Sequence, residues 1–272
     1  MAGKVFNSIL AEAVKQYKSN YHSRMVYYSM LFWPILQLFA SYYSYKPFEN
    51  SKASNVISAL VGKDKVFAFV IFGYMGYMFF GSFIQSAWRF SYERVSGTLE
   101  LIYITPASRI GIMLGNALSS LLVSAWMFTV FCAGALIFFT DLKLKIYMLP
   151  VAILCLTIPA ICWGVFLNTL FMFTRDSGLL FEVFQAPMEI FGGAKIPYQA
   201  FPFWGKLIGG IFPLTWSLII IRKIFMNGAT ILNIKSELLV LILFCILLSI
   251  LSKYLLVKAE KYARKTGNIA MF

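Results

Sequence analysis

Few side chains in this sequence are of the types that carry out covalent chemistry. The only histidine is His22, and one imidazole without a nucleophile or a metal-ligating partner makes no catalytic site. The four cysteines, Cys132, Cys155, Cys162 and Cys245, lie inside apolar runs without a C-x-x-C spacing, which is typical of small buried residues. P-loop, dinucleotide, zinc-protease and nucleophile-elbow motifs are absent from the sequence. We therefore expect no enzyme activity, no metal site and no cofactor bound by this chain.

Two carboxylates lie inside an apolar stretch, where an ionised group is costly. Glu182 and Glu189 are seven residues apart within residues 178–191, so on a helix they share one face with an offset of about 20°. Ionisable residues at membrane depth usually face a cavity or a partner. We expect this pair to face a transport path or a contact between subunits. The alternative is a place near the bilayer edge, or hydrogen bonds to neighbouring helices.

Aromatic residues are abundant, with 27 Phe, 15 Tyr and 6 Trp. Aromatic faces of the first two apolar runs could stack on rings of a transported molecule, whereas the alternative is packing against lipid and at the membrane interface. We select seven residues as candidates for the substrate path: Glu182, Glu189 and five aromatic residues of these two runs. The five aromatic residues are Tyr27, Phe32, Trp33, Tyr74 and Tyr77.

The composition identifies the environment of the chain. Of 272 residues, 60% are hydrophobic and only 13% are charged, with a mean hydropathy of +0.76, whereas soluble domains carry about 25% charged residues. Such a chain cannot cover a water-facing surface, so its fold class is predicted as an all-α membrane protein. The net charge of +13 fits basic residues beside anionic lipid headgroups. No nucleic-acid partner is expected, because no basic patch or recognition motif accompanies the charge.

Apolar runs of about 20 residues, the length of a membrane span, alternate with polar connections. Both chain ends are basic, so the positive-inside rule places both in the cytoplasm and requires an even number of crossings. We predict one membrane domain over residues 1–272, with six transmembrane helices and a re-entrant extracellular hairpin over residues 193–225. The predicted spans are residues 25–45, 66–88, 110–140, 146–173, the short 178–191 and 238–257, followed by a basic cytoplasmic tail at 258–272.

Residues 1–24 have the pattern of an amphipathic helix. Phe6, Ile9, Leu10, Ala13 and Tyr17 recur at steps of three and four residues, as on one face of a helix that lies in the membrane interface. The alternative is a surface helix that packs on a soluble domain, but no such domain follows in the sequence.

Residues 89–109 form a charged connection between the second and third predicted spans. Gly97 is a poor helix residue and Pro106 ends a helix, so residues 98–104 could form a short helix of roughly 10 Å. It carries Glu100, and Glu93 and Arg94 stand just before it. A short charged helix here suits transmission of force from a soluble partner; the alternative is a solvated loop.

These residues also carry a resemblance to a known family. The pattern E-R-x-x-G-T-L-E followed by proline, directly after the second span, is similar to permease subunits of the ABC-2 type exporter family. The matching residues are Glu93, Arg94, Gly97, Thr98, Leu99, Glu100 and Pro106. A second match comprises Pro197, Phe201 and Pro202, then residues 212–215 and Arg222.

The resemblance implies a transport subunit that pairs with a second permease, identical or different, and with a cytoplasmic subunit that binds ATP and Mg²⁺. Residues 1–24 would be the elbow helix, and an amphipathic drug, lipid, peptide or glycan-like substrate would pass between the permeases in a prokaryotic plasma membrane. The alternative is an ion-coupled secondary transporter or a channel without an ATPase. The residues implied to contact the ATPase are Glu93, Arg94, Gly97, Thr98, Leu99, Glu100 and Tyr103.

Overall fold

The computed structural model describes residues 2–21, 23–45, 59, 62, 65–97, 105, 107–138, 145–171 and 177–266. Within these ranges the chain forms ten α-helices and three short 3₁₀ turns and contains no strand, which confirms the all-α class. The helices are α1 (Ala2–Tyr21), α2 (Arg24–Tyr45), α3 (Val66–Val95), α4 (Arg109–Ser119), α5 (Leu121–Phe138), α6 (Leu149–Phe171), α7 (Ser177–Phe191), α8 (Phe203–Gly210), α9 (Pro213–Asn227) and α10 (Lys235–Thr266).

Helix α3 is the centre of the molecule. It contacts α2, α4, α5, α6, α7 and α9, and 83% of its most apolar 18-residue window is buried. A helix that is apolar on all sides is buried on all sides, and α3 accordingly places Phe72, Phe80 and Phe83 in the core, where Trp163 of α6 joins the same cluster.

Buried polar groups connect the apolar helices. The Asn116 side-chain amide donates to the Ser86 carbonyl (3.1 Å) and to Oδ1 of Asn168 (2.7 Å), and Asn168 donates to the carbonyl of Gly164 at 2.9 Å. Such bonds hold membrane helices together where apolar packing alone is non-directional. They fix α3, α4 and α6 to one another.

In the part of the chain that the structure describes, four stretches are long and apolar enough to cross a membrane: Val66–Glu93, Arg109–Gly134, Leu149–Phe171 and Ile231–Lys258. The bent pair of α8 and α9 would make a fifth. Helix α2 has 22 residues, but its tyrosines and serines make it less apolar than these, and α7 has only 15 residues, about 22 Å of helix. Helices therefore lie at all six predicted spans, while the number of crossings stays a prediction.

Three predicted boundaries differ in the structure. The connection predicted to begin at residue 89 begins after Val95, because residues 89–95 contain no glycine or proline to end α3. Gly97 follows with φ of +71°, a conformation that glycine adopts without steric cost. The predicted basic tail is helical as far as Thr266, and the N-terminal helix ends at Tyr21, since α2 already begins at Arg24.

The region between α7 and α10 is a compact corner. Helices α8 and α9 meet at 95°, and Pro213 starts α9 at a position where its missing N–H is not needed. The hydroxyl of Thr215 donates to the Gly209 carbonyl at 2.6 Å, which closes the corner. This bend is compatible with a broken span and with a re-entrant loop, so the predicted re-entrant hairpin stays a prediction.

The corner is held from inside by one buried arginine. Arg222 of α9 donates to the carbonyls of Gly193 (2.6 Å), Ala194 (3.0 Å) and Phe69 (3.0 Å). Its guanidinium carbon also lies 3.4 Å from the centre of the Phe69 ring. Through these contacts, the Arg222 guanidinium joins the connection after α7 to the central helix α3.

Candidate functional site

Helix α1 buries three polar residues and exposes four large apolar ones. Ser8, Glu12 and Gln16 are buried, whereas Phe6 and Leu10 are 63% and 57% exposed; Val14 and Tyr17 are also exposed. Large exposed apolar side chains are compatible with a helix that lies in the membrane interface. The interfacial placement of the N-terminal helix stays a prediction.

The buried polar row of α1 meets the end of α3. Nζ of Lys15 lies 2.7 Å from Oε1 of Glu93 and 3.0 Å from Oε1 of Glu12. The side-chain amide of Gln16 donates to the same two carboxylates, at 3.2 Å and 2.8 Å. Glu93, predicted as a partner contact, thus binds helix α1 of its own chain.

The same helix also holds the start of α4. The hydroxyl of Ser8 accepts a hydrogen bond from the Ser108 backbone N–H at 3.0 Å, and Ser108 caps α4 by accepting from the N–H of Gly111. Gly115 lets the two helices approach closely, since a Cβ there would lie 2.6 Å from the Ile9 carbonyl oxygen.

Helix α1 therefore fixes both ends of the connection between α3 and α4. Ser8 and Gln16 are eight residues apart, about 12 Å along the helix, and they bind Ser108 and Glu93 on the two sides of that connection. The predicted contacts Thr98, Leu99, Glu100 and Tyr103 lie outside the described residues, as do Pro106 and the side chain of Arg94. Gly97 is exposed at the first turn of the connection.

A second feature is a cleft of about 320 Å³ between α2, α3, α5 and α7. Each helix contributes residues from one face, spaced three or four apart as helical geometry requires. The lining residues are Trp33, Gln37, Tyr74, Tyr77, Met78, Gly81, Ser82, Gln85, Val123, Met127, Phe181, Gln185 and Glu189.

Hydrogen bonds order the polar end of this cleft. Tyr77 donates its hydroxyl proton to Oε2 of Glu189 at 3.1 Å, and the Gln185 amide nitrogen donates to the same hydroxyl oxygen at 3.1 Å. Because a carboxylate only accepts and a phenol has one proton, this chain of bonds has one direction. It fixes how Gln185 presents its amide.

Lys195 completes the polar end from the connection after α7. Its ammonium donates to Oε1 of Glu189 and lies 5.6 Å from the centre of the Tyr74 ring. Burial of the ammonium lowers the pKa of Lys195, but the hydrogen bond to Glu189 and the nearby Tyr74 raise it by more, so the pKa is above its ordinary value. Lys195 is therefore protonated and ion-paired with Glu189.

The structure brings together four of the seven predicted substrate-path residues: Trp33, Tyr74, Tyr77 and Glu189 line the cleft. Phe32 is exposed on α2, and the side chain of Tyr27 lies outside the described residues. Glu182 is exposed and does not line the cleft, to which α7 contributes Phe181, Gln185 and Glu189.

Sequence reasoning missed Gln185 and Lys195. Gln185 stands four residues before Glu189, one helical turn away, and this spacing was a usable signal. Lys195 stands in a glycine-containing connection, where no periodicity points to a partner. Among the described residues, no three His, Cys, Asp or Glu side chains lie close enough together to hold a metal ion.

The helices, their apolar surfaces and the buried polar links between them define a multi-pass membrane protein. The sequence model of the family described as "ABC-2 type transporter" matches residues 7–226, well over half of the chain. The protein therefore belongs to the ABC-2 type transporter family and is a transporter permease. A comparison with curated proteins gives no match.

Proposed function

We propose that this chain is the transmembrane permease of an ATP-driven exporter, working as a dimer with a separate cytoplasmic ATPase. Membership of the ABC-2 family supports the permease role. The family does not favour the alternative of an ion-coupled transporter or channel without an ATPase. ATP and Mg²⁺ would be bound by the partner subunit, and this chain would contribute no catalytic residue.

The observation that carries the proposal is the brace that α1 makes across the connection between α3 and α4. Glu93 before the connection is bound to Lys15 and Gln16, and Ser108 after it is bound to Ser8. A partner that pushes on residues 97–107 would therefore move α1, α3 and α4 as one body. This is the mechanical property that a coupling segment needs.

The export path in this proposal runs through the cleft and along the exposed face of α7. That face presents Leu179, Val183 and Ile190, all more than half exposed, together with Glu182. A carboxylate on an otherwise apolar membrane helix is costly against lipid, so we assign this face to the contact with the second permease. The cleft then opens beside the subunit contact.

The orientation follows from the same proposal. The connection between α3 and α4, and both chain ends, would lie on the cytoplasmic side of a prokaryotic plasma membrane, as the basic ends favour. The corner formed by α8 and α9 would lie on the outer side.

Co-purification from native membranes tests this function. The tagged chain should bring down an ATP-hydrolysing ABC subunit, and deletion of residues 98–104 should abolish that association. A truncation of similar length, which removes residues 267–272 at the C-terminal end, should keep it. A chain that transports its substrate in vesicles with no companion protein would overturn the proposal.

A further inference from the structure

We propose that the cleft binds an amphipathic organic cation, with a protonated amine on Glu189 and an apolar or aromatic body between α2, α3 and α5. This inference rests on the proposed function and adds the chemical class of the transported molecule. Two features support this proposal: the residues that line the cleft, and the Lys195 ammonium that is already bound to the Glu189 carboxylate.

The charged group that lines the cleft is a carboxylate. Glu189 is a lining residue, whereas Lys195, which binds the carboxylate, is not. The side chain of Glu189 is 31% exposed, so part of it is open to a second cation. A molecule in the cleft therefore contacts the carboxylate of Glu189 and not the ammonium of Lys195.

The cleft also offers an acceptor without a donor. Because Tyr77 donates its proton to Glu189, the Gln185 amide nitrogen faces the Tyr77 hydroxyl as a donor. The Gln185 amide oxygen therefore points away from Tyr77. That oxygen is buried and has no hydrogen-bond partner among the described residues. A buried acceptor without a donor is costly, and an N–H group of a bound molecule would satisfy it.

Aromatic rings around the carboxylate suit an ammonium group. Trp33, Tyr74 and Tyr77 line the cleft, and ring faces attract ammonium groups, more strongly where water is excluded. Met78, Met127 and Phe181 provide the apolar remainder of the wall. Sulfur-containing and aromatic side chains of this kind adapt to ligands of varied shape.

The protein already shows this recognition in its own chain. The Lys195 ammonium sits on Glu189 and over the Tyr74 ring, which is the pair of contacts that we assign to the ligand. Its side chain is 46% exposed, so it can move aside. We infer that the substrate amine displaces Lys195 from Glu189 on binding.

The volume fits a small amphiphile. The cleft encloses about 320 Å³, at the lower end of the range of small-molecule sites, roughly 300–1,000 Å³. This accommodates an amine with one ring and part of an alkyl chain, whereas a long chain would extend toward the subunit contact.

Direct binding to the purified permease in lipid nanodiscs tests the inference. The probe is radiolabelled N-benzyl-octylamine, and its neutral analogue is benzyl octyl ether; empty nanodiscs give the lipid background. We expect saturable binding of the amine above background and none of the ether. Glu189→Gln should weaken amine binding by about tenfold or more, the worth of a charge-assisted hydrogen bond.

Two further variants make the test independent of the folding of the first. Lys195→Met removes the competing cation and should tighten amine binding by roughly two- to fivefold, the worth of a partly exposed ion pair. Glu237→Gln is the matched control, since Glu237 is also paired with a lysine, Lys223, but does not line the cleft; it should leave binding unchanged. Equal binding of amine and ether, equal loss in Glu189→Gln and Glu237→Gln, or weaker binding in Lys195→Met would each overturn the inference.

Co-purification of the ATPase with the same preparations separates the two proposals. A wild-type chain that retains its ATPase but does not distinguish the amine from the ether refutes only the substrate class. A chain that has no ATPase partner refutes the proposed function.

Discussion

Oε1 of Glu93 lies 2.7 Å from Nζ of Lys15, across 78 residues of sequence. This contact joins the last turn of α3 to the N-terminal helix at the point where the chain leaves for the connection to α4. A residue predicted to contact the ATPase thus also attaches the N-terminal helix.

Replacement of Glu93 by alanine should loosen this attachment. Lys15 and Gln16 would lose their shared acceptor, and we expect a loss of about 1 kcal/mol of stability, because the contact is only partly buried. Thermal unfolding in detergent measures the effect. Asn7→Ala, at an exposed position of α1, is the control and should change the transition by much less; equal shifts would contradict a bracing role for Glu93.

Alanine at Gly115 should separate α1 from α4. Its Cβ would lie 2.6 Å from the Ile9 carbonyl oxygen, so the helices must move apart and the Ser8–Ser108 hydrogen bond must lengthen. Gly81 on α3 has no atom within 4 Å of an added Cβ, so Gly81→Ala should be neutral or stabilising by up to about 1 kcal/mol. Equal melting temperatures of the two variants would show that the close approach is not needed.

The apolar runs predicted where helices form, because a length of about 20 apolar residues is a local property of the sequence. The shortness of residues 178–191 was visible in the same way. The number of crossings could not be predicted in this way, since α2 and the bent pair α8–α9 have intermediate lengths and polarities. Their path depends on packing and on a membrane that acts on the whole chain.

Pairings across the sequence could not be read from patterns. Tyr77 and Glu189 were both predicted to face a substrate path, but their hydrogen bond joins residues 112 positions apart. The sequence of α1 did not indicate which residues would contact its buried polar row. The hydrogen-bond partners of Ser8 and Gln16 lie about a hundred and about eighty residues away in the sequence. Only the three-dimensional fold shows that these partners flank one connection.

The buried asparagine pair gives a third prediction. Asn168→Ala removes the acceptor of Asn116 and should cost about 0.6–1.7 kcal/mol, the range measured for hydrogen bonds between membrane helices. Unfolding in a denaturing detergent provides the measurement. Asn233, which is exposed in the turn before α10, is the matched control, and Asn233→Ala should have no effect. No change in Asn168→Ala would contradict a role for the pair in joining α4 to α6.

Arg222 should tolerate no smaller side chain. Arg222→Ala removes the side-chain donor to the carbonyls of Gly193 and Ala194, and each buried acceptor left without a partner costs about 1–3 kcal/mol. Lys235, exposed at the start of α10, serves as the control cation. Retention of the wild-type unfolding temperature by Arg222→Ala would contradict its role in holding the corner.

The proposed function requires a separate ATPase that contacts the connection between α3 and α4. A photo-crosslinking amino acid at position 100 measures this contact directly in native membranes. The control is position 147, which is exposed in the 3₁₀ turn before α6 and lies outside in the proposed topology. We expect an ATP-binding protein crosslinked from position 100 and none from position 147. Crosslinking from position 147 alone, or none from position 100 while the ATPase still co-purifies, would contradict it.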